Sequence, residues 1–218
     1  MPHPPRRAIL ALVPVLFVAL TSTTAPAKVP DPRFTRVPAP IVGSVSGAML
    51  PSCSGTGSTA AERIDGFRVE TRDVNNSPLW FKPVTLDFSQ STIRLFADDT
   101  PGVTVDCAAR TVTALTDQHG VVVFRPRFGG SSSGATILVT SDGVELRQIA
   151  ARSTDVDGDG TTGLADFARV GRNFQDGSAD PSTDFDPCAP GSEGRTTLSD
   201  FAIFARELVR SAQGTACP

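Results

Sequence analysis

Short runs in which apolar and polar residues alternate fill the middle of the chain, between residues 41 and 150. A period of two is typical of a strand that has one buried and one exposed face. Clusters of Asp, Asn, Pro and Gly separate the runs and supply turns. About seven strands in this length predict an all-β sandwich. The runs are 67–71, 84–88, 93–96, 111–115, 121–124, 135–139 and 144–149.

The period of the apolar positions changes towards the C-terminus. Phe167, Val170 and Phe174 recur at helical spacing, and Gly177 then supplies a stop signal. Residues 151–154 are short and polar, so a loop followed by one helix is predicted rather than two helices around a loop. A second copy follows at an offset of 34 residues. We therefore predict that residues 151–218 form a small α-helical module of two loop–helix repeats.

The first 27 residues have the layout of a secretory signal peptide. Arg6-Arg7 precede an apolar run over 8–20, and Ala25-Pro26-Ala27 fits a cleavage site. The run is short for a transmembrane helix, although an uncleaved anchor remains an alternative. Residues 28–40 hold four prolines and are expected to be an extended, poorly ordered lead-in. These features predict a secreted or cell-surface protein with no membrane span after cleavage.

The loop before the first helix, residues 155–166, has the spacing of a calcium-binding loop. Carboxylates occupy loop positions 1, 3, 5 and 12, which are Asp155, Asp157, Asp159 and Asp166. Gly160 at position 6 allows the sharp reversal of such a loop. Carboxylates this close repel one another unless a cation lies among them, and a flexible oxygen shell favours Ca²⁺ over Mg²⁺. We expect the Thr161 carbonyl to be a further ligand and a water to fill position 9, where Gly163 has no side chain.

The second copy departs from this pattern. Counting back from Asp200 at position 12 puts Glu193 at position 5, but positions 3 and 1 fall on Gly191 and Ala189, which offer no ligating side chain. Two further carboxylates lie upstream of the inserted residues 187–192. Either the loop is enlarged and its acids still converge, or the site is weakened or lost, which is the outcome we favour. The candidate ligands of this doubtful site are Asp184, Asp186, Glu193 and Asp200.

The tandem units, from about residue 154 to the chain end, resemble the type I dockerin module of secreted bacterial proteins. The resemblance rests on the acidic positions, on Gly160 and on Phe167 after the closing Asp. It implies bound Ca²⁺ and a cohesin-like domain as the docking partner. In dockerins, loop positions 10 and 11 and nearby helix residues face the partner; here these are Leu164, Ala165, Arg172, Leu198, Ser199 and Arg206. An alternative is that both leucines fill the core of the module.

Three short sequence segments of the middle region resemble the Ig-like domains of bacterial surface proteins of the invasin or adhesin type. They are residues 66–73, 82–88 and 116–124. The resemblance implies an Ig-like sandwich with a stalk-like or binding role, and it carries over no catalytic residue.

Four cysteines in an exported protein are expected to form disulfides. Pairing within each region, Cys53 with Cys107 and Cys188 with Cys217, is the most economical of the three possible connectivities. The chain has no Cys-x-x-Cys motif and no His–Cys cluster, which argues against zinc and redox chemistry.

Composition and charge agree with a binding protein. From Asp155 onward there are eleven acidic residues against five arginines and no lysine, so the acidity belongs to the predicted ion-binding loops. No basic patch for nucleic acid is evident. Tyrosine is absent and tryptophan occurs once, which argues against an aromatic carbohydrate cleft.

The sequence offers little for catalysis. His119 lies in a predicted hairpin turn, where a solvated side chain is commoner than a general base. Asp98-Asp99 precede Thr-Pro-Gly and are more simply a turn than a glycosidase acid. Trp80 beside Phe81 suits a sugar-stacking platform, but core or edge packing is the commoner role of such a residue. We expect a non-catalytic chain.

Three functional classes follow. The first is an interaction protein in which the sandwich is anchored by calcium-dependent docking of the C-terminal module, in the setting of polysaccharide-degrading assemblies. The second is a calcium-stabilised structural or adhesive surface protein that binds no cohesin. The third is an accessory protein or small enzyme of polysaccharide breakdown.

Overall fold

A computed structural model describes residues 28–48, 50–54, 62–98, 100–131, 136–177, 179–188, 194–210 and 217, without the side chains of 51–54 and 62–65. The predicted signal peptide and the residues Asp99 and Glu193 lie outside these ranges.

The described chain is rich in β-strands and has two α-helices near its C-terminal end. The strands are β1 (Ile41–Gly43), β2 (Pro51–Ser54), β3 (Glu62–Asp65), β4 (Phe67–Glu70), β5 (Pro83–Asp87), β6 (Arg94–Leu95), β7 (Val103–Asp106), β8 (Thr111–Leu115), β9 (Val121–Phe124), β10 (Phe128–Gly129), β11 (Ile137–Ser141), β12 (Val144–Ile149) and β13 (Ala151–Ser153). The helices are α1 (Leu164–Asp176) and α2 (Leu198–Arg210), and a short 3-10 helix spans Pro181–Thr183. Each of the seven predicted runs overlaps a strand, so the β-rich class is confirmed.

An antiparallel sheet of five strands, in the order β12-β11-β5-β8-β7, forms the largest layer. Alternation in its strands puts one set of side chains inside, such as Leu86, Val112 and Val139. The pairs β4–β9 and β6–β10 contribute Phe124 and Phe128 to the same hydrophobic cluster. This shared core joins the large sheet to the shorter strand pairs.

Residues 28–40 are tied to the β-strands, contrary to the expected poorly ordered lead-in. The backbone N–H of Asp31 donates to the carbonyl of Arg72 at 2.8 Å, and Arg36 exchanges two backbone hydrogen bonds with Glu70. Val37 is buried in the main core. The prolines suit a segment whose hydrogen bonds are made by the residues between them, because proline has no N–H to donate.

The two helices form at the predicted positions and pack through their aromatic residues. The Phe201 ring lies 6.1 Å from Phe167 and 5.1 Å from Phe174, in edge-to-face arrangements. Gly177 ends α1 in the left-handed conformation, with φ of 59°, as its predicted role as a stop requires.

The helical repeat also packs against the N-terminal part of the described chain. Val42 and Leu50 share a hydrophobic cluster with Val170 and Phe204. Strand β1 pairs in parallel with β13, so the segment leading into the first loop is itself part of a β-ladder. The domain boundary at residue 150 stays a prediction. If the chain divides there, these contacts form the interface between the two parts.

The predicted disulfide pairing is wrong. Cys107 is joined to Cys217, with a Cα–Cα distance of 5.2 Å. Both predicted pairs are excluded by this bond, because each contained one of these two cysteines. The physical reason is that the chain end returns to the β-strands, where the backbone N–H of Cys217 donates to the carbonyl of Leu95 at 3.3 Å. Cys188 is also disulfide-bonded.

Neither α1 nor α2 is long and apolar enough to cross a bilayer, and the same holds throughout the residues that the structure describes.

Candidate metal centre

Loop 1, which we define as residues 155–166, follows β13 directly and brings three carboxylates together. One oxygen from each of Asp155, Asp157 and Asp159 lies within 4.8 Å of the others. Asp155 is fully buried, whereas the other two are exposed. The three carboxylates form an acidic site with one buried and two exposed members, so a cation from solvent can reach the buried carboxylate.

Backbone N–H groups hold the buried carboxylate in place. Asp155 accepts hydrogen bonds from the N–H groups of Gly158, Asp159 and Gly160 at 2.8 to 3.1 Å. Gly160 has a φ of +100°, which an L side chain rarely adopts, so the predicted requirement for glycine at position 6 is confirmed. The loop is thus wrapped around its first ligand.

Asp166 closes the loop from the first turn of α1. Its Oδ1 accepts the N–H groups of Val156 at 2.6 Å and Asp157 at 3.1 Å, and its Oδ2 accepts that of Gly163 at 2.8 Å. Its carboxylate is buried and, through its N–H donors, joins the start of the helix to the start of the loop.

Burial raises the pKa of Asp155 to about 6, and the neighbouring charges of Asp166 and Asp159 add to this effect. Burial also raises the pKa of Asp166, with a further contribution from Asp157. Three N–H donors on each carboxylate oppose the rise without cancelling it. A divalent cation among these groups would relieve both the desolvation and the mutual repulsion.

Thr161 lies beside Asp159 in the second half of the loop. Its N–H and its hydroxyl both donate to Asp159 Oδ1, at 2.8 and 2.7 Å. The side chain is therefore committed to orienting a carboxylate, which leaves the backbone carbonyl as the ligand that the sequence predicts from this residue.

Loop 1 rests on the β6–β10 pair. The N–H of Gly130 donates to the carbonyl of Asp155 at 2.6 Å. A guanidinium nitrogen of Arg94 donates to the carbonyl of Asp159 at 3.3 Å. A Cβ added at Gly129 would lie 2.1 Å from Asp155 Oδ2, so the strand approaches the carboxylate as closely as glycine permits. Sequence reasoning missed this contact, for which the Gly129-Gly130 pair was the available signal.

Loop 2, which we define as residues 184–200, repeats the hydrogen bonds of loop 1. Asp200 Oδ1 accepts the N–H groups of Phe185 at 2.5 Å and Asp186 at 2.6 Å, and its Oδ2 accepts that of Thr197 at 2.6 Å. The N–H of Gly194 donates to Asp184 Oδ2 at 2.8 Å, as Gly160 donates to Asp155. Asp184 and Asp186 therefore occupy positions 1 and 3.

This finding corrects the count made from the sequence, which put Ala189 and Gly191 at those positions. The inserted residues lie between Asp186 and Gly194, inside the loop. The hydrogen bonds of the described residues agree with the enlarged-loop alternative, and Asp184, Asp186 and Asp200 are all buried. Asp155, Asp157 and Asp159 of loop 1 form the one three-carboxylate cluster found among the described residues, and Glu193, the loop 2 counterpart of Asp159, lies outside those residues.

An arginine that sequence reasoning missed lies at loop 2. Arg152 of β13 approaches Asp184, with Nη1 2.8 Å from Oδ2 and 2.6 Å from the backbone carbonyl. Burial raises the pKa of Asp184, and the Arg152 charge opposes that rise. No sequence pattern predicts the contact, because Arg152 lies in β13 and Asp184 lies in loop 2.

The residue types of loop 1 fit a hard divalent cation. Its groups are carboxylate and carbonyl oxygens, which Ca²⁺ takes in shells of six to eight. The clustered Asp155, Asp157 and Asp159 supply three of these ligands, with Thr161 and water available for others.

The residues expected to face a partner lie at the surface, with one exception. Leu164 and Leu198 are 78 and 74% exposed, so the alternative that they fill the core is wrong. Ala165, Arg172 and Arg206 are also exposed. Ser199 is half-buried, and its hydroxyl donates to Asp186 Oδ2. Arg206 lies 3.8 Å from the carboxylate of Glu207 within its own helix.

The other candidate residues are dispersed. His119 is exposed in the β8–β9 turn, with its Nε2 3.3 Å from Gln118 Nε2. Asp98 accepts the N–H and hydroxyl of Thr100, as expected of a turn residue. Trp80 is 67% exposed and stands edge-on to Phe81 with ring centroids 6.3 Å apart, so it is not a core residue.

No known protein family, curated protein or solved structure matches the chain. From its own fold and its acidic loop, the chain is a β-rich protein with a C-terminal loop–helix repeat and a candidate cation site.

Proposed function

We propose that this chain is a secreted, non-catalytic modular protein that binds Ca²⁺ in loop 1 and uses its C-terminal repeat to dock on a protein partner. The observation that carries the proposal is the convergence of Asp155, Asp157 and Asp159 within 4.8 Å. Asp166 and the carbonyl of Thr161 complete the proposed ligand set.

Calcium has a defined role in this arrangement. Loop 1 connects β13 to α1, and its last carboxylate belongs to the first turn of the helix. An ion shared by the two ends of the loop would fix the direction in which α1 leaves the β-strands. Bound Ca²⁺ thus stabilises the folded state by mass action and orders the helix pair.

The docking surface is proposed on the exposed positions that the two repeats share. Leu164 and Leu198 each occupy the first helical position, two residues before the closing Asp. Large apolar side chains at equivalent, exposed positions suit burial in a partner interface. By its resemblance to dockerins, the partner is a cohesin-like domain, and the strands carry an Ig-like domain that docking would anchor.

A second candidate is a calcium-stabilised structural or adhesive protein that binds no cohesin. The packing of loop 1 on Gly129 and Gly130, and of α2 near Val42 and Leu50, favours it, because these contacts give calcium an effect on the whole chain. The two candidates share the calcium site and differ in the use of the exposed leucines.

Titration calorimetry on the mature full-length chain tests the calcium function. We expect Ca²⁺ to bind and Mg²⁺ to compete weakly. Asp155→Asn combined with Asp159→Asn should abolish binding, whereas the control Asp176→Asn, at the exposed end of α1, should leave it unchanged. Equal binding by all three proteins would reject loop 1 as the site. Capture of the wild-type chain by immobilised cohesin-like domains in calcium, and its loss in EGTA, then separates docking from a structural role.

A further inference from the structure

The two loops share a backbone arrangement but differ in the charges around their first carboxylate. Among the described residues, no basic side chain forms an ion pair with Asp155, Asp157, Asp159 or Asp166. Arg94, which reaches loop 1, donates to a backbone carbonyl. Within the part of the chain that the structure describes, loop 1 thus has four carboxylates and no ion-paired basic side chain to balance them.

Loop 2 contains such a cation. The guanidinium of Arg152 lies 2.8 Å from Asp184 Oδ2 and donates to the Asp184 carbonyl at 2.6 Å, so it contacts both groups that a residue at position 1 can offer. The side chains of Arg152 and Asp184 are only 12 and 1% exposed. An arginine–carboxylate pair that is shielded from solvent is much less screened than a surface pair.

Protein donors also hold the other carboxylates of loop 2, and the backbone donors to Asp200 repeat those to Asp166 in loop 1. Both oxygens of Asp200 accept backbone N–H groups, and Oδ2 also accepts the hydroxyl of Thr197 at 2.7 Å. The hydroxyl of Ser199 donates to Asp186. Two buried oxygens of the loop, Asp184 Oδ1 and Asp186 Oδ1, accept no hydrogen bond, but two oxygens fall far short of the six to eight that Ca²⁺ takes.

We propose that the Arg152 guanidinium is the resident cation of loop 2, so that this loop folds without a metal and the chain binds a single Ca²⁺, in loop 1. The inference rests on the proposed calcium function. It assigns to Arg152 a positioning role: β13 leads into loop 1 and at the same time holds loop 2 closed. The helix pair is thereby fixed to the β-strands at loop 2 constitutively and at loop 1 by calcium.

The first test is the stoichiometry of Ca²⁺ binding to the mature full-length chain by titration calorimetry. One ion per chain is expected, and Asp184→Asn should leave the isotherm unchanged. Two ions in the wild type, or loss of an ion in Asp184→Asn, would overturn the proposal. Absence of all binding would instead overturn the calcium function, and the melting experiment below would still decide the role of Arg152.

The second test is thermal unfolding in excess EGTA. Arg152→Gln should lower the melting temperature, Arg152→Lys should restore most of the loss, and Arg169→Gln should have little effect. The control is apt because Arg169 lies 3.8 Å from Asp180 at the surface, where an ion pair contributes little. Arg152→Gln should also acquire a second, weaker calcium-binding event at millimolar concentration, since the buried carboxylates then lack a cation. Equal melting temperatures for Arg152→Gln and Arg169→Gln would refute the proposed role of Arg152.

Discussion

Gly129 of β10 packs so closely against Asp155 of loop 1 that a side chain at residue 129 would overlap the carboxylate. A Cβ added at Gly129 would stand 2.1 Å from Asp155 Oδ2 and 2.9 Å from its Cγ. Separations this short do not occur in folded proteins, so a side chain here must displace the buried carboxylate or the strand. Loop 1 and strand β10 therefore leave no room for a side chain between them.

We predict that Gly129→Ala weakens Ca²⁺ binding by roughly ten-fold or more, because the methyl group pushes the position-1 carboxylate away from the other ligands. Titration calorimetry measures the change. Gly171→Ala is the matched control, since the nearest atom to its added Cβ is 4.0 Å away. Unchanged affinity in Gly129→Ala, with a fall in stability alone, would mean that the strand adapts and the contact is not needed for the site.

Much of loop 1 and both helices could be predicted from the sequence, because the information is local. The carboxylate spacing, Gly160 and the helical period of Phe167 and Val170 each act within a few residues of chain. The count failed in loop 2 for a local reason too. Counting back from Asp200 assumes a loop of ordinary length, whereas the hydrogen bonds of Asp200 identify Asp184 and Asp186 as the first two carboxylates of the loop.

The contacts that join distant elements could not be predicted in this way. Arg152 and Asp184 meet because β13 lies beside the loop, and Cys217 reaches Cys107 because the chain end returns to Leu95. The predicted disulfides assumed that each cysteine bonds to another cysteine of its own region. The packing of Val42 against the helix pair shows why that assumption fails.

The Cys107–Cys217 bond should contribute strongly to stability, because it closes a loop with a sequence separation of 110 residues. Replacing both cysteines by serine should lower the free energy of unfolding by about 3 to 5 kcal/mol, the scale given by loop-closure entropy for such a length. Urea unfolding of the oxidised wild type and the double variant measures the difference.

Peptide mapping without reduction checks the connectivity directly. It should recover a peptide pair that joins Cys107 to Cys217, with Cys188 joined to the remaining cysteine of the sequence, Cys53. Recovery of a Cys53–Cys107 pair would contradict the arrangement described above.

The turn between β8 and β9 provides a prediction about pH. The N–H of Val121, with that of His119, holds the pKa of Asp117 below its usual value. A carboxylate whose folded pKa is depressed adds stability above its unfolded pKa, near 4, and this stability is lost as the pH falls through the folded value. Asp117→Asn should therefore be less stable than the wild type at pH 7, and the difference should shrink as the pH falls below the unfolded pKa of Asp117.

Urea unfolding at a series of pH values in calcium-free buffer tests this expectation. The neighbouring substitution Gln118→Ala serves as the control and should show no pH-dependent difference. A constant gap between Asp117→Asn and the wild type from pH 7 to pH 2 would show that the side chain acts through its shape alone.

The exposed leucines give the sharpest test of docking. Leu164→Ser combined with Leu198→Ser should leave calcium affinity and thermal stability nearly unchanged, because the two side chains are 78 and 74% exposed. Capture by a cohesin-like domain should fall by about 10- to 100-fold, the loss typical of one or two interface hot spots. The matched control is Val209→Ser, an 84% exposed apolar residue at the far end of α2.

The arginines should have a smaller effect on the same surface. Arg172→Ala combined with Arg206→Ala removes an exposed guanidinium from each helix, and we expect weaker capture through a slower association rate, since surface charges chiefly steer encounter. Calcium affinity should not change, because neither side chain is a proposed ligand. Surface plasmon resonance at low and high salt distinguishes the two variants: the arginine effect should shrink as salt rises, whereas the leucine effect should persist. If the leucine double variant and Val209→Ser are captured equally well, the first turns of the helices are not the docking surface, and the proposed calcium site would serve the stability of the chain alone.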